Sequence, residues 1–337
     1  MVNEHIRAAF LESAKKITIH ETFVEDIGPN QVLIRPILTA ICGSDVSFFE
    51  GHRVPAAYPI ILGHEVIGNI VAVGDNVKAM TIGQRVIVEP NYPCGTCRFC
   101  QTGKGNICPN KKSLGVTLPG CFAELFNAPA EFCWPIPDSI PNEEALLIEP
   151  LTVSLHALWQ SEVKEGDAIS VLGCGSTGLL LIQAAKQQGV KIFAHDKVKR
   201  KLAMAHQMGA EVSDNQDHAR LWQEGNVSTV FECAGSAITV GIALNSAPRG
   251  SQIILMGLST SLANFQPLRF VREGLRMNGS LIYQHPNDFK KAIDMVEKGI
   301  LSPKLIIADT FPLEKIQEAM LVASSGEAGK VVIKMVG

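Results

Sequence analysis

The sequence has no apolar run approaching the ~18 residues that a membrane span requires. Its longest candidates, such as Gly178-Leu-Leu-Leu-Ile-Gln, are cut short by polar residues. The opening Met1-Val-Asn-Glu-His-Ile-Arg lacks the apolar stretch of a secretory signal. Charge of one sign is lacking too: 30 Lys and Arg stand against 33 Asp and Glu, for a net charge of −3. No global cationic field therefore exists to hold nucleic acid or anionic lipid. Internal repeats and low-complexity tracts are absent as well. The expectation is a soluble, cytoplasmic protein with neither nucleic-acid nor membrane partners.

What is present is a chain of 337 residues, long for one core at ~150 residues per domain. Hydrophobic residues make up 46% and charged ones 19%, with mean hydropathy +0.17. That composition excludes intrinsic disorder. There are nine cysteines. An odd number without a secretion signal argues for thiols, metal ligands or buried packers rather than a disulfide framework.

Residues 1 to about 160 read as mostly β. Short segments such as Gln31-Val-Leu-Ile-Arg, Ile67-Gly-Asn-Ile-Val-Ala-Val and Arg85-Val-Ile-Val alternate with turn signals at Gly28-Pro29 and Gly74-Asp75-Asn76. The pattern then changes. Apolar strands at Ala168-Ile-Ser-Val-Leu, Val190-Lys-Ile-Phe-Ala-His, Val227-Ser-Thr-Val-Phe-Glu-Cys and Ser251-Gln-Ile-Ile-Leu-Met are interleaved with helical periodicity at 178–189 and 198–208. Such alternation predicts a doubly wound parallel sheet. The tail predicts helices at 288–299 and 313–324 and a last strand, Lys330-Val-Val-Ile-Lys.

Cys94, Cys97, Cys100 and Cys108 follow the spacing C-x2-C-x2-C-x7-C. Four thiolates on a tight loop with Gly95, Gly103 and Gly105 suit a closed tetrahedral zinc, structural rather than catalytic. The competing readings are an iron–sulfur cluster and free thiols. Three other segments carry potential ligands: Cys42-Gly43-Ser44-Asp45, Gly63-His64-Glu65 and Glu149-Pro150-Leu151. Singly, each has an ordinary structural reading as a buried thiol, a core histidine or a helix-terminal charge. Together they supply thiolate, imidazole and carboxylate, a shell that suits zinc with an open fourth position.

Gly173-Cys174-Gly175-Ser176-Thr177-Gly178 follows a predicted strand and opens a predicted helix, and Asp196 lies eighteen residues beyond its last glycine. Glycines there let the backbone approach a pyrophosphate at a helix N-terminus, and the aspartate accepts from ribose hydroxyls. Asp196 repels a 2′-phosphate and favours NAD. Lys197, Lys199, Arg200 and Lys201 follow directly and are read as a solvated helix start rather than a phosphate site.

Gly63-His64-Glu65-Val-Ile-Gly68, followed by Gly74 and Val77, resembles the zinc signature of the medium-chain dehydrogenase/reductase superfamily. The Cys-Gly-Ser-Asp box and the four-cysteine lobe are similar to those of its alcohol and polyol dehydrogenases, in the same order along essentially the whole chain. The resemblance implies an α/β protein with a GroES-like, mostly β catalytic domain (1–150 and 284–337) and a Rossmann domain (151–283). It implies a homodimer or homotetramer. It makes Cys42 and His64 zinc ligands and leaves open whether Glu65 or Glu149 joins them. Asp45 matches the residue holding the ligand histidine from behind, and Ser44 the hydroxyl that takes the substrate proton. Lys201 aligns with a family arginine near the ribose, and Met256-Gly257-Leu258 resembles the segment backing the nicotinamide.

Two departures stand out. Many relatives carry a relay histidine three residues after the relay hydroxyl, where this chain has Ser47; His52 is the nearest substitute. Sorbitol-type enzymes carry an arginine where this chain reads Leu281-Ile-Tyr-Gln-His285. The expected pocket lining is Phe48, Phe49, Tyr283 and Gln284. The resulting expectation is an oxidoreductase with two zinc ions per chain and NAD as cofactor. It would interconvert a secondary alcohol and a ketone on a polyol, sugar or sugar-acid substrate. The alternatives are a threonine-type amino-alcohol dehydrogenase and a non-catalytic protein that binds NAD and zinc.

Overall fold

The computed structural model describes residues 5–55, 57–213, 217–327 and 329–335. The chain divides into two compact units, Met1–Glu149 with Gln284–Gly337, and Pro150–Tyr283. No helix among the described residues is long and apolar enough to cross a membrane.

The first unit is built on the strand Gln31–Ile41, whose near-continuous apolar run is buried on both faces. Glu65–Val73 pairs antiparallel along one edge and Lys330–Lys334 along the other. The full path runs Cys133–Pro135, Arg85–Val88, Glu65–Val73, Gln31–Ile41, Lys330–Lys334, Ile307–Pro312, and Phe126–Pro129 also pairs with Gln31–Ile41. Pro36 offers no N–H to a ladder, and the register to Glu65–Val73 shifts between Pro36 and Leu38. A three-stranded sheet of Lys16–Phe23, His5–Ser13 and Ile60–Ile61 and a two-stranded one of Asn91–Tyr92 and Lys112–Ser113 make up the rest of its β structure.

The second unit is a six-stranded parallel sheet. Its order is Glu211–Val212, Lys191–His195, Ala168–Leu172, Val227–Glu232, Gln252–Leu255, Arg276–Gly279. Ala168–Leu172 is buried throughout, as a parallel strand covered on both faces must be. In chain order the sheet reads third, second, first, fourth, fifth, sixth, the Rossmann arrangement. Its order reverses between Ala168–Leu172 and Val227–Glu232, and ligands bind beyond the carboxyl ends at such a reversal.

Two expectations need correction. The stretch to residue 160 is not β to its end: Asn142–Leu146 and Ile148–Gln160 are helices. The apolar run Ala-Leu-Leu-Ile within it is short, and periodicity alone does not separate a buried helix from a strand at that length. Phe48 and Phe49 do not line a polar pocket. They close the short helix Gly43–Phe49 and pack with Ile41, Leu62, Phe122 and Met320 in the core. Burying such a ring is worth roughly 1.5–3 kcal/mol, which favours that placement.

In the second unit His195 ends its strand buried, its Nε2 accepting from the Trp222 indole N–H at 3.1 Å. The His218 ring lies edge-on at 4.6 Å. Burial, seconded by His218, pushes the His195 imidazolium down to about 4. An unfolded histidine titrates near 6.5. Between those values the unfolded chain binds a proton that the folded chain refuses, so stability falls as pH drops from about 6.5 to about 4. The loss amounts to roughly 3 kcal/mol. Denaturant unfolding should show the stability gap between wild type and His195→Asn narrowing over that window. A gap unchanged with pH would mean that His195 is not the group that titrates.

Candidate functional site

The helix Gly43–Phe49 is capped at Cys42, and Asp45 closes the cap. Asp45 Oδ2 accepts from the Cys42 N–H at 2.9 Å, and Oδ1 accepts from the Gly63 N–H at 3.1 Å. One carboxylate thereby fixes the two segments that carry Cys42 and His64. The same Oδ1 lies 3.6 Å from His64 Nδ1, and Ser44 Oγ lies 3.5 Å from His64 Nε2. Gly63 has a φ of 91°, and a Cβ there would lie 2.6 Å from the Phe122 ring. Only glycine permits the turn that presents His64.

The ligand atoms of Cys42, His64 and Glu65 all lie within 4.8 Å of one another. Burial opposes charge on His64, but Asp45 and Cys42 outweigh it and raise its pKa well above the usual value. The surroundings thus favour a cation. Glu65 is fully buried and gives Oε1 to the ammonium of Lys330 at 2.7 Å, while Oε2 meets no donor among the described residues. A soft thiolate, an imidazole and a carboxylate oxygen not engaged by a donor fit zinc with an open position. Glu149 lies buried in the first turn of Ile148–Gln160 and outside this three-residue cluster. His52 is exposed on the turn after Gly43–Phe49, also outside the cluster.

Lys330 had no signal in the sequence. It is 2% exposed, and its ammonium also donates to the Ile41 carbonyl at 3.3 Å. Burial acts to lower its pKa, but Glu65, Cys42 and Glu149 together hold it above the ordinary value.

The four-cysteine lobe is local. A turn at Gly95, the short helix Arg98–Gln101 and a second turn at Gly103 bring the sulfurs together. Sγ–Sγ separations are 3.5 Å for Cys97–Cys100 and Cys94–Cys108, 3.8 Å for Cys97–Cys108 and 3.9 Å for Cys94–Cys100. Four thiolates ~2.3 Å from a tetrahedral zinc are about 3.8 Å apart, so the sulfurs match that shell. Backbone N–H groups of Thr96 and Cys97 pull the Cys94 thiol down to about 5, whereas burial and then Cys97 push Cys100 up to about 12.

Nearby, Glu89 is buried and accepts from the Trp134 indole at 3.1 Å and from His285 Nδ1 at 2.8 Å. Gln284 donates its amide to Asn106 at 3.0 Å. Tyr283 is buried. The stretch 283–285 thus carries a buried ring and side-chain hydrogen bonds to Asn106 and Glu89.

In the second unit the three glycines of the loop have separate tasks. Gly173 has a φ of 95°, a Cβ on Gly175 would meet nothing within 4 Å, and one on Gly178 would lie 1.9 Å from the Gly173 carbonyl. These are a tight turn, an open approach for a pyrophosphate and close helix–strand packing. Thr177 sits in the first turn of the helix Ser176–Lys186. Asp196 Oδ2 accepts from Cys174 N–H at 2.7 Å and Oδ1 from Val198 N–H at 2.8 Å. Lys201 lies half-buried in the first turn of Lys199–Gln207, and Gly257 and Leu258 follow the strand Gln252–Leu255, with Leu258 71% exposed.

Two family models match the chain: an alcohol dehydrogenase GroES-like domain over residues 28–138 and a zinc-binding dehydrogenase over 176–298. Sorbitol dehydrogenase from Bacillus subtilis is 32% identical over 95% of this chain and 94% of its own length. The chain belongs to the zinc-type medium-chain dehydrogenase/reductase family, in its polyol dehydrogenase-like branch. L-threonine 3-dehydrogenase from Legionella pneumophila is 29% identical over 96% of this chain and 98% of its own. An alcohol dehydrogenase from Escherichia coli CFT073, solved with NADH, superposes with TM-score 0.91 at 27% identity, covering 98% of this chain and 99% of that one. A zinc-binding dehydrogenase from Sinorhizobium meliloti 1021 bound to NADP gives 0.90 at 27% identity, covering 98% and 100%. The family makes this chain an oxidoreductase with zinc and a Rossmann-type site for a nicotinamide dinucleotide.

In the zinc-free chain, replacing Lys330 by methionine leaves Glu65 buried without its counter-charge, a change worth about 3–5 kcal/mol in unfolding free energy. Glu65→Gln combined with Lys330→Met should recover part of that loss in urea titrations. A single variant within about 1 kcal/mol of wild type would mean that the pair carries no such weight.

Proposed function

We propose that this protein is a zinc- and NAD-dependent dehydrogenase of a polyol, sugar alcohol or sugar acid, interconverting a secondary alcohol and a ketone. The gathering of Cys42, His64 and Glu65 is the observation that carries the reading. Binding and structural roles alone need no donor set with an open position. Zinc held there supplies Lewis acidity that makes an alcohol hydroxyl more acidic, and the dinucleotide supplies a hydride acceptor.

The residues then divide the work. Asp45 ties the Cys42 and Gly63 amides together and stands 3.6 Å from His64 Nδ1, the placement expected of a group supporting a metal ligand. Ser44, adjacent to His64, receives the substrate proton. Glu65 is assigned as the third ligand in preference to Glu149, because it shares the cluster with Cys42 and His64. His52 lies exposed on the turn after Gly43–Phe49, where a group passing that proton on to solvent would stand. Cys94, Cys97, Cys100 and Cys108 hold a second, structural zinc. Gly173, Gly175, Thr177, Gly178, Asp196 and Lys201 bind the adenosine and pyrophosphate half of the cofactor, with Gly257 and Leu258 behind the nicotinamide. The Asp196 carboxylate supports NAD over NADP by repelling a 2′-phosphate.

A homo-oligomer is supported by the strand Arg276–Gly279, whose four residues are exposed at the sheet edge. An open edge pairs readily with its own copy about a two-fold axis. All nine cysteines are free, in keeping with a reducing cytoplasm.

A panel of polyols, sugar acids and L-threonine, followed by NADH absorbance with NADP in parallel, tests the substrate class. Turnover of polyols with NAD and none of L-threonine is the expected result; failure on every secondary alcohol refutes the reading. Metal analysis should return about two zinc per chain, falling to one in Cys42→Ala. Ser44→Ala should lower kcat by about 10²–10⁴ with zinc content intact. A kcat within threefold of wild type would remove Ser44 from proton transfer.

A further inference from the structure

Glu232 is the last residue of the strand Val227–Glu232, beside the reversal point of the parallel sheet. It is fully buried. Its Oε1 accepts from the Ala234 N–H at 3.0 Å, the Gly235 N–H at 2.9 Å and the Thr239 hydroxyl at 2.7 Å. Its main-chain carbonyl accepts from the Met256 N–H at 2.9 Å and the Gly257 N–H at 3.0 Å. The side chain thus holds the loop that leaves its own strand, and the main-chain carbonyl, which any residue would offer, holds the turn that leaves the next.

The two segments it joins touch backbone to backbone. A Cβ on Gly257 would lie 2.1 Å from the Gly235 nitrogen and 2.7 Å from Glu232 Oε2. Gly235 has a φ of 67°, and a Cβ on it would lie 2.9 Å from the Leu258 nitrogen. Oε2 is buried and meets no donor among the described residues. A carboxylate kept in such a place needs a compensating task. Charge-assisted bonds to two loop amides and a hydroxyl are stronger than those a neutral acceptor would form.

We propose that Glu232 is the positioning residue of the nicotinamide half of the cofactor site. Its carboxylate fixes Ala234 and Gly235, on which the backbone of Gly257 and Leu258 packs, so the two segments form one preformed wall that cofactor binding does not have to order. The proposal rests on the reading that Met256-Gly257-Leu258 backs the nicotinamide. It predicts a selective effect: the nicotinamide contribution to affinity depends on Glu232, and the ADP-ribose contribution does not.

The test uses the zinc-loaded full chain and two ligands, NADH and ADP-ribose, which lacks the nicotinamide ring. Affinities are measured by calorimetric titration. In wild type NADH should bind more tightly than ADP-ribose. Glu232→Gln keeps the side-chain shape but removes the charge, and should weaken NADH about tenfold while leaving ADP-ribose within twofold. Thr239→Val removes one donor and leaves the carboxylate, and should shift NADH about threefold in the same selective way. It carries the test if the glutamine variant does not fold. A parallel loss for both ligands would make Glu232 a general support of the fold and overturn the proposal, as would no change for either. Wild-type protein that binds both ligands equally would instead refute the nicotinamide role of 256–258, on which the proposal depends.

Discussion

The first unit depends on the placement of one strand, Lys330–Lys334, between Gln31–Ile41 and Ile307–Pro312. Without that insertion the Leu38–Ile41 end of the central strand loses its neighbour, and Val331 and Ile333 leave the core that holds Phe48, Phe49 and Leu62. The helix bearing Ser44 and Asp45 packs on that core. The same strand delivers Lys330 to Glu65 across 265 positions of sequence. Packing and electrostatics therefore converge on one pairing. Hydrophobic burial sets where the strand lies, and the ion pair makes a buried carboxylate tolerable next to a thiol and an imidazole.

The second unit solves a different problem, the approach of backbone to a ligand. Here the tools are glycine and shared hydrogen bonds rather than buried charge pairs. Gly178 lets the helix Ser176–Lys186 close onto the Gly173 carbonyl, and Asp196 ties the amides of Cys174 and Val198 to one carboxylate. The Glu232 carboxylate does the same for the amides of Ala234 and Gly235, while its main-chain carbonyl takes those of Met256 and Gly257. Both carboxylates sit at carboxyl ends of parallel strands, where backbone N–H groups are left without ladder partners. Acidic side chains are the economical way to gather them.

What the sequence made legible follows from distance along the chain. The four cysteines span fifteen residues, so their spacing is itself the geometry, and the glycine-rich loop reads from its flanking strand and helix. Cys42 and His64 are twenty-two residues apart and are linked only through the resemblance and, in space, through Asp45. Lys330 was illegible because a lysine opening Lys-Val-Val-Ile-Lys carries no mark to separate it from Lys334, which is exposed. Glu89 and Glu232 were missed for a related reason: a carboxylate ending an apolar strand reads as the start of a surface loop. Phe48 and Phe49 misled in the opposite direction, since aromatic rings near a ligand segment serve a core as readily as a pocket.

The contrast between the two clusters of candidate metal donors follows from the same distances. A short loop can wrap four donors around one ion, because every ligand is free to move with its neighbours until the shell closes. Such a shell has no room for a substrate, and its contribution is the folding of the loop itself. Cys42, His64 and Glu65 come instead from the cap of one helix and the start of a separate strand, each fixed by packing or by Asp45 before any ion arrives. A donor set held in place by the fold cannot contract to fill a missing position. A zinc bound by these three donors would keep a position open for a substrate oxygen, because the sheet that Lys330–Lys334 completes holds them in place.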